Sequence, residues 1–263
     1  MLIGRLREKQ LKTVWRVQRN DLCSYLVGTA HFFPYSFKKS LERLLRSSQT
    51  ALFEGPLDKI SMEKVPASGY VADSSETVLQ ELDERAVTTI TNLLAPTRMD
   101  RNVLTGLQMF TSKPENLVYS MTKGMKPWLA FFTIYTRFLE RNGWKHSVDM
   151  EAYNLARSMG KEVVFLETIE EQIDVLESLS LPQILDFLKR ADRWKTYTKD
   201  FKNWYLEGDI EKIRSNPYRF PTHTPRVIDQ RDTILYERML MYLEKGKAAV
   251  FVGTPHVFGV SRL

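Results

Sequence analysis

Residues 22–31, LCSYLVGTAH, and residues 248–256, AAVFVGTPH, decide how this chain is read. Each is an apolar run that ends in glycine and delivers a histidine three residues later, His31 after Gly28 and His256 after Gly253. A short apolar run closed by glycine is the pattern of a buried strand that stops in a tight turn. The histidine then stands at the strand's C-terminal end, where open α/β sheets hold their ligands. Two of the chain's four histidines share this setting at opposite ends of the sequence, which implies that the two turns meet in space.

Working outward, Lys12–Gln18 and Leu22–Val27 flank the turn-forming trio Arg19, Asn20 and Asp21 and read as a β-hairpin. Ser36 is placed to cap a helix carrying Phe37, Leu41, Leu44 and Leu45. Thr50–Phe53 reads as a short strand running into Glu54-Gly55-Pro56. A strand, a helix and a strand imply a parallel βαβ unit, with His31 and Glu54 at one edge of adjacent strands. Asp73 or Ser74 is expected to cap a helix through Val78, Leu82, Ala86 and Ile90 that ends at Pro96. Met99–Trp144 reads as mostly helical, with Lys126-Pro127-Trp128 opening an apolar helix. Asp149 is expected to cap a helix stopped by Gly160, and Val163–Leu166 to form a third core strand. Ile169 to about Trp204 reads as two helices broken at Pro182. The three prolines of Asn216–Pro225 mark a loop, and Thr233–Lys245 is an amphipathic helix stopped by Gly246. The fold class expected is α/β: one domain over residues 1–263, with a central mixed β-sheet flanked by helices and a helical insertion at about 73–145.

A chain of 263 residues with 43% hydrophobic content can bury a large core. Its one cysteine, Cys23, excludes an internal disulfide, fits a reducing compartment, and reads as a small core residue of the first apolar strand. No apolar run has the length of a signal-peptide core or a membrane span, so a cytoplasmic chain, or one trimmed of a leader, is expected. The formal net charge is +6, but Lys and Arg are dispersed and no aromatic-basic cluster is present, which argues against nucleic acid. The expected partner is a peptide or protein substrate, with no integral membrane segment in this chain.

His31, Glu54 and His256 each follow an apolar strand at a glycine-containing turn. Imidazoles and a carboxylate converging on one ion, with a position left for water, are what a hydrolytic metal site requires. Taken singly, each is also what a hydrogen-bonded structural residue looks like, and only the joint pattern favours a site. Water on a divalent ion would be the nucleophile, with Glu54 either a ligand or the general base, and the histidines either ligands or direct acid and base groups. Arg231, just before the last helix, could grip a substrate carboxylate. Glu167 ends the third strand on the side of Glu54 if that strand is parallel. His146 and His223 are expected to face solvent, and the stripe Trp128, Phe131, Phe132 and Tyr135 to be helix packing. No P-loop, Gly-x-Gly-x-x-Gly, His-Glu-x-x-His or Gly-x-Ser-x-Gly is present, which removes the common nucleotide and serine-hydrolase readings.

The segments VWRVQRNDLCSYLVGTAHFFP, ALFEG, GMKPWLAFF, VDMEAYNLARSMGKEVVFLETIEEQ, WYLEGDIEKI and GKAAVFVGTPHVFG together resemble the TraB/GumN family, which includes the Tiki proteases. The resemblance runs from about Trp15 to Gly259. It implies a fold related to the erythromycin-esterase and ChaN-like group and a divalent metal (manganese, cobalt or zinc) at a metalloprotease site. By position, His31, Glu54 and His256 match the family's two histidines and glutamate as catalytic and metal-binding residues. Two departures stand out. The family commonly reads Phe-Glu-Leu-Asp, whereas Glu54 is followed by Gly55-Pro56 and the next acid is Asp58. Where relatives have Arg-Asn before the last helix, this chain has Arg231-Asp232. The function expected is a metal-dependent hydrolase, most of all a peptidase acting on a peptide or protein signal. The alternatives are a non-catalytic protein that sequesters a peptide, and an esterase-like hydrolase of a small ester.

Overall fold

The computed structural model describes residues 9–19, 21–71, 78–95 and 115–260. Five strands form one sheet in the order β1-β2-β5-β3-β4. β1 (Val14–Arg19) and β2 (Leu22–Thr29) are the expected hairpin, antiparallel from Val14↔Val27 to Arg19↔Leu22. β5 (Ala248–Gly253) lies between β2 and β3 (Thr50–Phe53), parallel to both, and β4 (Glu162–Phe165) runs parallel to β3 at the edge. The sheet is therefore mixed, with one antiparallel strand. β2 and β3 are not neighbours as the simple βαβ reading has it, because the last strand inserts between them.

β5 is buried on both faces, which is why Ala248–Val252 is an unbroken apolar run rather than an alternating one. Ala249 and Phe251 join the larger core with Val27, Ala51 and Phe53. Ala248, Val250 and Val252 join a smaller core on the other face with Leu26, Leu52, Leu235 and Met239. Phe53 and Phe251, paired across β3 and β5, stack with centroids 5.1 Å apart. Both side chains are almost wholly buried, so truncating either to alanine would cost about 3–5 kcal/mol.

The larger core is capped by helices between β3 and β4 and by those that follow β4. The expected aromatic stripe is packing: Tyr135 meets Phe187, Trp194 and Phe220 at 5.3–5.4 Å between ring centroids. Element boundaries differ from expectation in instructive ways. Phe37, not Ser36, occupies the N-cap of the Lys38–Arg46 helix, and Ser36 Oγ accepts only the Lys38 N–H. The helix of residues 84–94 begins at Glu84 with Asp83 as its cap, accepting the Ala86 N–H at 2.7 Å. The caps expected at Asp73 or Ser74, and the helical reading of residues 99–114, lie outside the described residues. Ser147, not Asp149, caps the Val148–Ser158 helix, which frees the Asp149 carboxylate for another use. The break expected near Pro182 is present, with Pro182 in the first turn of the Leu181–Lys189 helix, but a second break at residues 190–193 divides the stretch from Ile169 to Glu207 into three α-helices rather than two. Cys23 is half-buried on the hairpin, its sulfur 3.1 Å from Arg16 Nε, rather than a core residue.

Candidate functional site

Parallel pairing of β2 with β5 sets Thr29 opposite Gly253, so the two Gly-x-x-His turns leave the same end of the sheet side by side. Thr254 Oγ1 donates to the Thr29 carbonyl at 2.8 Å and ties the turns together. A side chain at Gly28 would press on Thr254 and Val257 at 3.1–3.3 Å, so glycine is what lets the turns approach. Glu54, one residue beyond β3, reaches back across β5 and accepts the Gly253 N–H at 2.7 Å. His256 Nε2 lies 3.9 Å from Glu54 Oε1.

Beyond this pair, Glu167, which the sequence allowed a site role if its strand were parallel, and Arg231 and Asp232 complete the arrangement. Glu167 stands just past β4, with its N–H donated to the Glu54 carbonyl at 2.9 Å, so the parallel placement on which its role depended is met. Arg231 is buried between the two glutamates. Its Nε and Nη2 engage Glu167 at 2.8 and 2.5 Å, and Nη2 also reaches Glu54 Oε1 at 2.5 Å. Nη1 lies 3.4 Å from His256 Nε2. Arg231 was expected as a grip for a substrate carboxylate, but Glu167 already fills that bidentate fork. It is the buried cation that organises the site. The helix begins at Asp229, four residues earlier than expected, which places Arg231 and Asp232 in its first turn, facing the sheet. Asp232 Oδ1 pairs with His256 Nδ1 at 2.8 Å.

His31 is held differently. The chain on either side of it is pinned, by the Val148 N–H on the Ala30 carbonyl at 3.0 Å and by Phe33 pairing with His146. This brings buried Asp149 to 3.0 Å from His31 Nδ1, an ion-pair distance at which the hydrogen-bond alignment is poor. The His31 side chain is 69% exposed, so the ring faces open solvent while its back meets a carboxylate. Asp149 pushes the His31 pKa up to about 9, with Glu54 adding to the rise. Burial pushes the Glu54 carboxyl up, but Arg231, His256, His31 and the Gly253 N–H outweigh it, so Glu54 is held well below the ordinary carboxylate range. His31 and Glu54 thus sense each other's charge.

Other expectations are corrected. Asp58, the next acid after Glu54, caps the Lys59–Ser68 helix through the Ser61 N–H at 3.0 Å, while the carboxylate that stands near Glu54, across Arg231, is Glu167. The place of a side chain at Gly55 is filled by the Gln172 amide. His223 is half-buried rather than fully solvated. Phe220 anchors its loop in the aromatic core, and His223 Nδ1 is buried without a hydrogen-bond partner. Burial, with repulsion from His256 and Arg214, pushes its pKa down to about 4. His146 is half-exposed and bonds Glu151 at 3.0 Å.

The donor chemistry fits a divalent ion in kind. Both imidazoles have a carboxylate at Nδ1, which leaves Nε2 as the ligating nitrogen and is the usual support behind a metal-bound histidine. Glu54 supplies an ionised oxygen beside His256. Among the described residues, however, no three of His, Cys, Asp and Glu are drawn to one point. Arg231 stands against Glu54 Oε1 and His256 Nε2, so an ion and the guanidinium compete for the same donors. Among the described residues no helix is long and apolar enough to cross a membrane. No curated protein and no solved structure matches the chain. The two Gly-x-x-His turns, the glutamate after β3 and the arginine at the start of the last long helix lie within one family match over residues 13–263, and the chain belongs to the TraB/PrgY/gumN family.

Proposed function

We propose that this protein is a hydrolase of peptide bonds in a peptide or protein substrate, with His31, Glu54 and His256 as its working groups. The observation that carries the reading is the delivery of His256 and Glu54 to one end of three parallel strands. There, Glu54 is kept ionised and the His256 Nδ1 is held by Asp232. His31, Glu54 and His256 would hold a divalent ion, which when bound supplies a water of lowered pKa and polarises the scissile carbonyl. Glu54, held ionised by Arg231 and the Gly253 N–H, would serve as a ligand or orient the bound water, since its lowered pKa makes it a weak base. His31, with its raised pKa, carries its proton in the free protein, and only on a route without a metal would it offer that proton to a leaving amine. Binding of an ion there would expel that proton, so metal affinity would rise with pH. Arg231 and Glu167 keep Glu54 in place without touching solvent.

A second reading is favoured by the saturation of Glu54, whose oxygens are engaged by Arg231 and by the Gly253 N–H. A protein that captures a peptide without cleaving it would tolerate this. Mass spectrometry of a peptide library separates the two. The parent is expected to form products, and Glu54→Gln and chelated parent to form none, with Mn²⁺, Co²⁺ or Zn²⁺ restoring them. Stoichiometric binding with no product at any metal would overturn the hydrolase reading. Cleavage insensitive to chelator would remove the metal and leave the direct acid–base route.

A further inference from the structure

We infer that Arg214 and Asp232 form a clamp that sets the tautomer and aim of His256. The Asp232 and His256 side chains are 5% and 6% exposed, so their 2.8 Å contact at Nδ1 is shielded from competing water. The other carboxylate oxygen of Asp232 faces Arg214 Nη1 at 3.2 Å. Arg214, from the Ile210–Ser215 helix, also donates to the Pro255 carbonyl at 3.2 Å and to Asp229 at 2.6 Å. Its guanidinium sits 5.0 Å from the centroid of the Phe258 ring. One cation thus joins the first turn of the Asp229–Lys245 helix to the turn that carries His256. Gly259 makes room for this, since a Cβ there would fall 1.7 Å from Asp232 Oδ2.

Two contacts on opposite sides of the ring agree. A carboxylate oxygen at Nδ1 requires the proton on Nδ1. Arg231 Nη1, an obligate donor 3.4 Å from Nε2, requires a lone pair there. The Nε2–H tautomer would set a lone pair against Asp232 and a proton against a guanidinium. The clamp therefore leaves Nε2 as an acceptor directed at the Glu54 side of the site. Arg214 and Asp232 are positioning residues. The tautomer stands on geometry alone, and its use in turnover rests on the hydrolase reading above.

The test is ¹⁵N spectroscopy of histidine-labelled protein after chelation, since a metal at Nε2 would impose the same tautomer. The His256 signal is assigned by its loss in His256→Gln. The parent is expected to show the Nδ1–H form. In Asp232→Asn the Arg214 donor takes the amide oxygen, so the NH₂ turns to Nδ1 and the Nε2–H form grows. In the Arg214→Met/Asp232→Asn double variant the oxygen is free to turn back, and Nδ1–H is expected to return. Asp232→Leu leaves the longer Arg231 contact at Nε2 as the hold on the ring, so Nδ1–H is expected to remain the larger form. The other three histidine signals report folding in every variant. An Nε2–H parent, or an Asp232→Asn protein that keeps Nδ1–H, overturns the clamp. In turnover, Asp232→Leu should lower kcat by about 10–100-fold with KM little changed. Correct tautomers with no turnover would sink the hydrolase reading and leave the clamp intact.

Discussion

Replacing Arg231 by methionine removes the one cation between two buried carboxylates, and the structure fixes what should follow. The Glu54 and Glu167 side chains are 13% and 4% exposed, and Arg231 meets both within 2.8 Å. Methionine matches the aliphatic stem but leaves two like charges facing each other in a low-dielectric site. Breaking a buried pair by removing one partner typically costs about 3–5 kcal/mol. Glu54 keeps the Gly253 N–H and His256, which favours the lower half of that range. For a chain of this size the loss corresponds to a fall in Tm of roughly 6–20 °C. The loss should also depend on pH. Without its guanidinium the carboxylate pair holds a proton that the unfolded chain releases, so the variant regains stability as pH falls from 7 towards 5. Arg231→Lys should recover only part of the loss, because an ammonium cannot span both oxygens of Glu167. Mn²⁺ should raise the Tm of Arg231→Met more than that of the parent, since the competing cation is gone. Urea titrations at pH 5 and 7 with thermal melts measure all of this. A loss below about 1 kcal/mol that is independent of pH would refute the placement of Arg231 as the buried cation of the site.

His256→Ala should cost about 1–3 kcal/mol because it leaves Asp232 Oδ1 buried without its partner, although Arg214 still holds the other oxygen. His31→Ala should cost little because the ring is mostly in solvent, and equal Tm losses in the two variants would contradict this. The structure thereby parts two histidines that the sequence pattern treats alike. His223, neutral in the fold, should make stability decline as pH falls from about 6.5 towards 4, because the unfolded chain takes up a proton that the native state refuses. The depressed pKa of Glu54 adds to this decline, whereas His31 acts oppositely, stabilising at low pH and losing its contribution as pH rises through about 9. His223→Gln should flatten the decline between pH 6.5 and 4 by about 2–3 kcal/mol, and an unchanged urea midpoint profile would show that His223 does not carry it.

What was legible in the sequence is what depends on short-range pattern. Glycine after an apolar run locates the strand ends, and a continuous apolar β5 signals burial on both faces, so the strand-end positions of His31, Glu54 and His256 can be placed without a structure. Strand order was legible only in part, because insertion of β5 between β2 and β3 is decided by packing between segments at opposite ends of the chain. The residues behind the site were not legible, and for one physical reason. Asp149, Arg231 and Asp232 all sit in the first turn of a helix, where acidic residues are ordinarily explained by capping or by the helix dipole. Each start was assigned to the wrong residue by two to four positions, and a shift of that size turns a side chain from solvent to core. Asp149 read as a cap because no local signal distinguishes it from Ser147, which does the capping. What separates them is that Phe33 and Ala30 dock on residues 146–148, a contact made between distant parts of the chain. Helix ends that carry charge next to a candidate strand-end histidine are therefore where its carboxylate partner should be sought. Here both histidines obey that rule, His31 through Asp149 and His256 through Asp232.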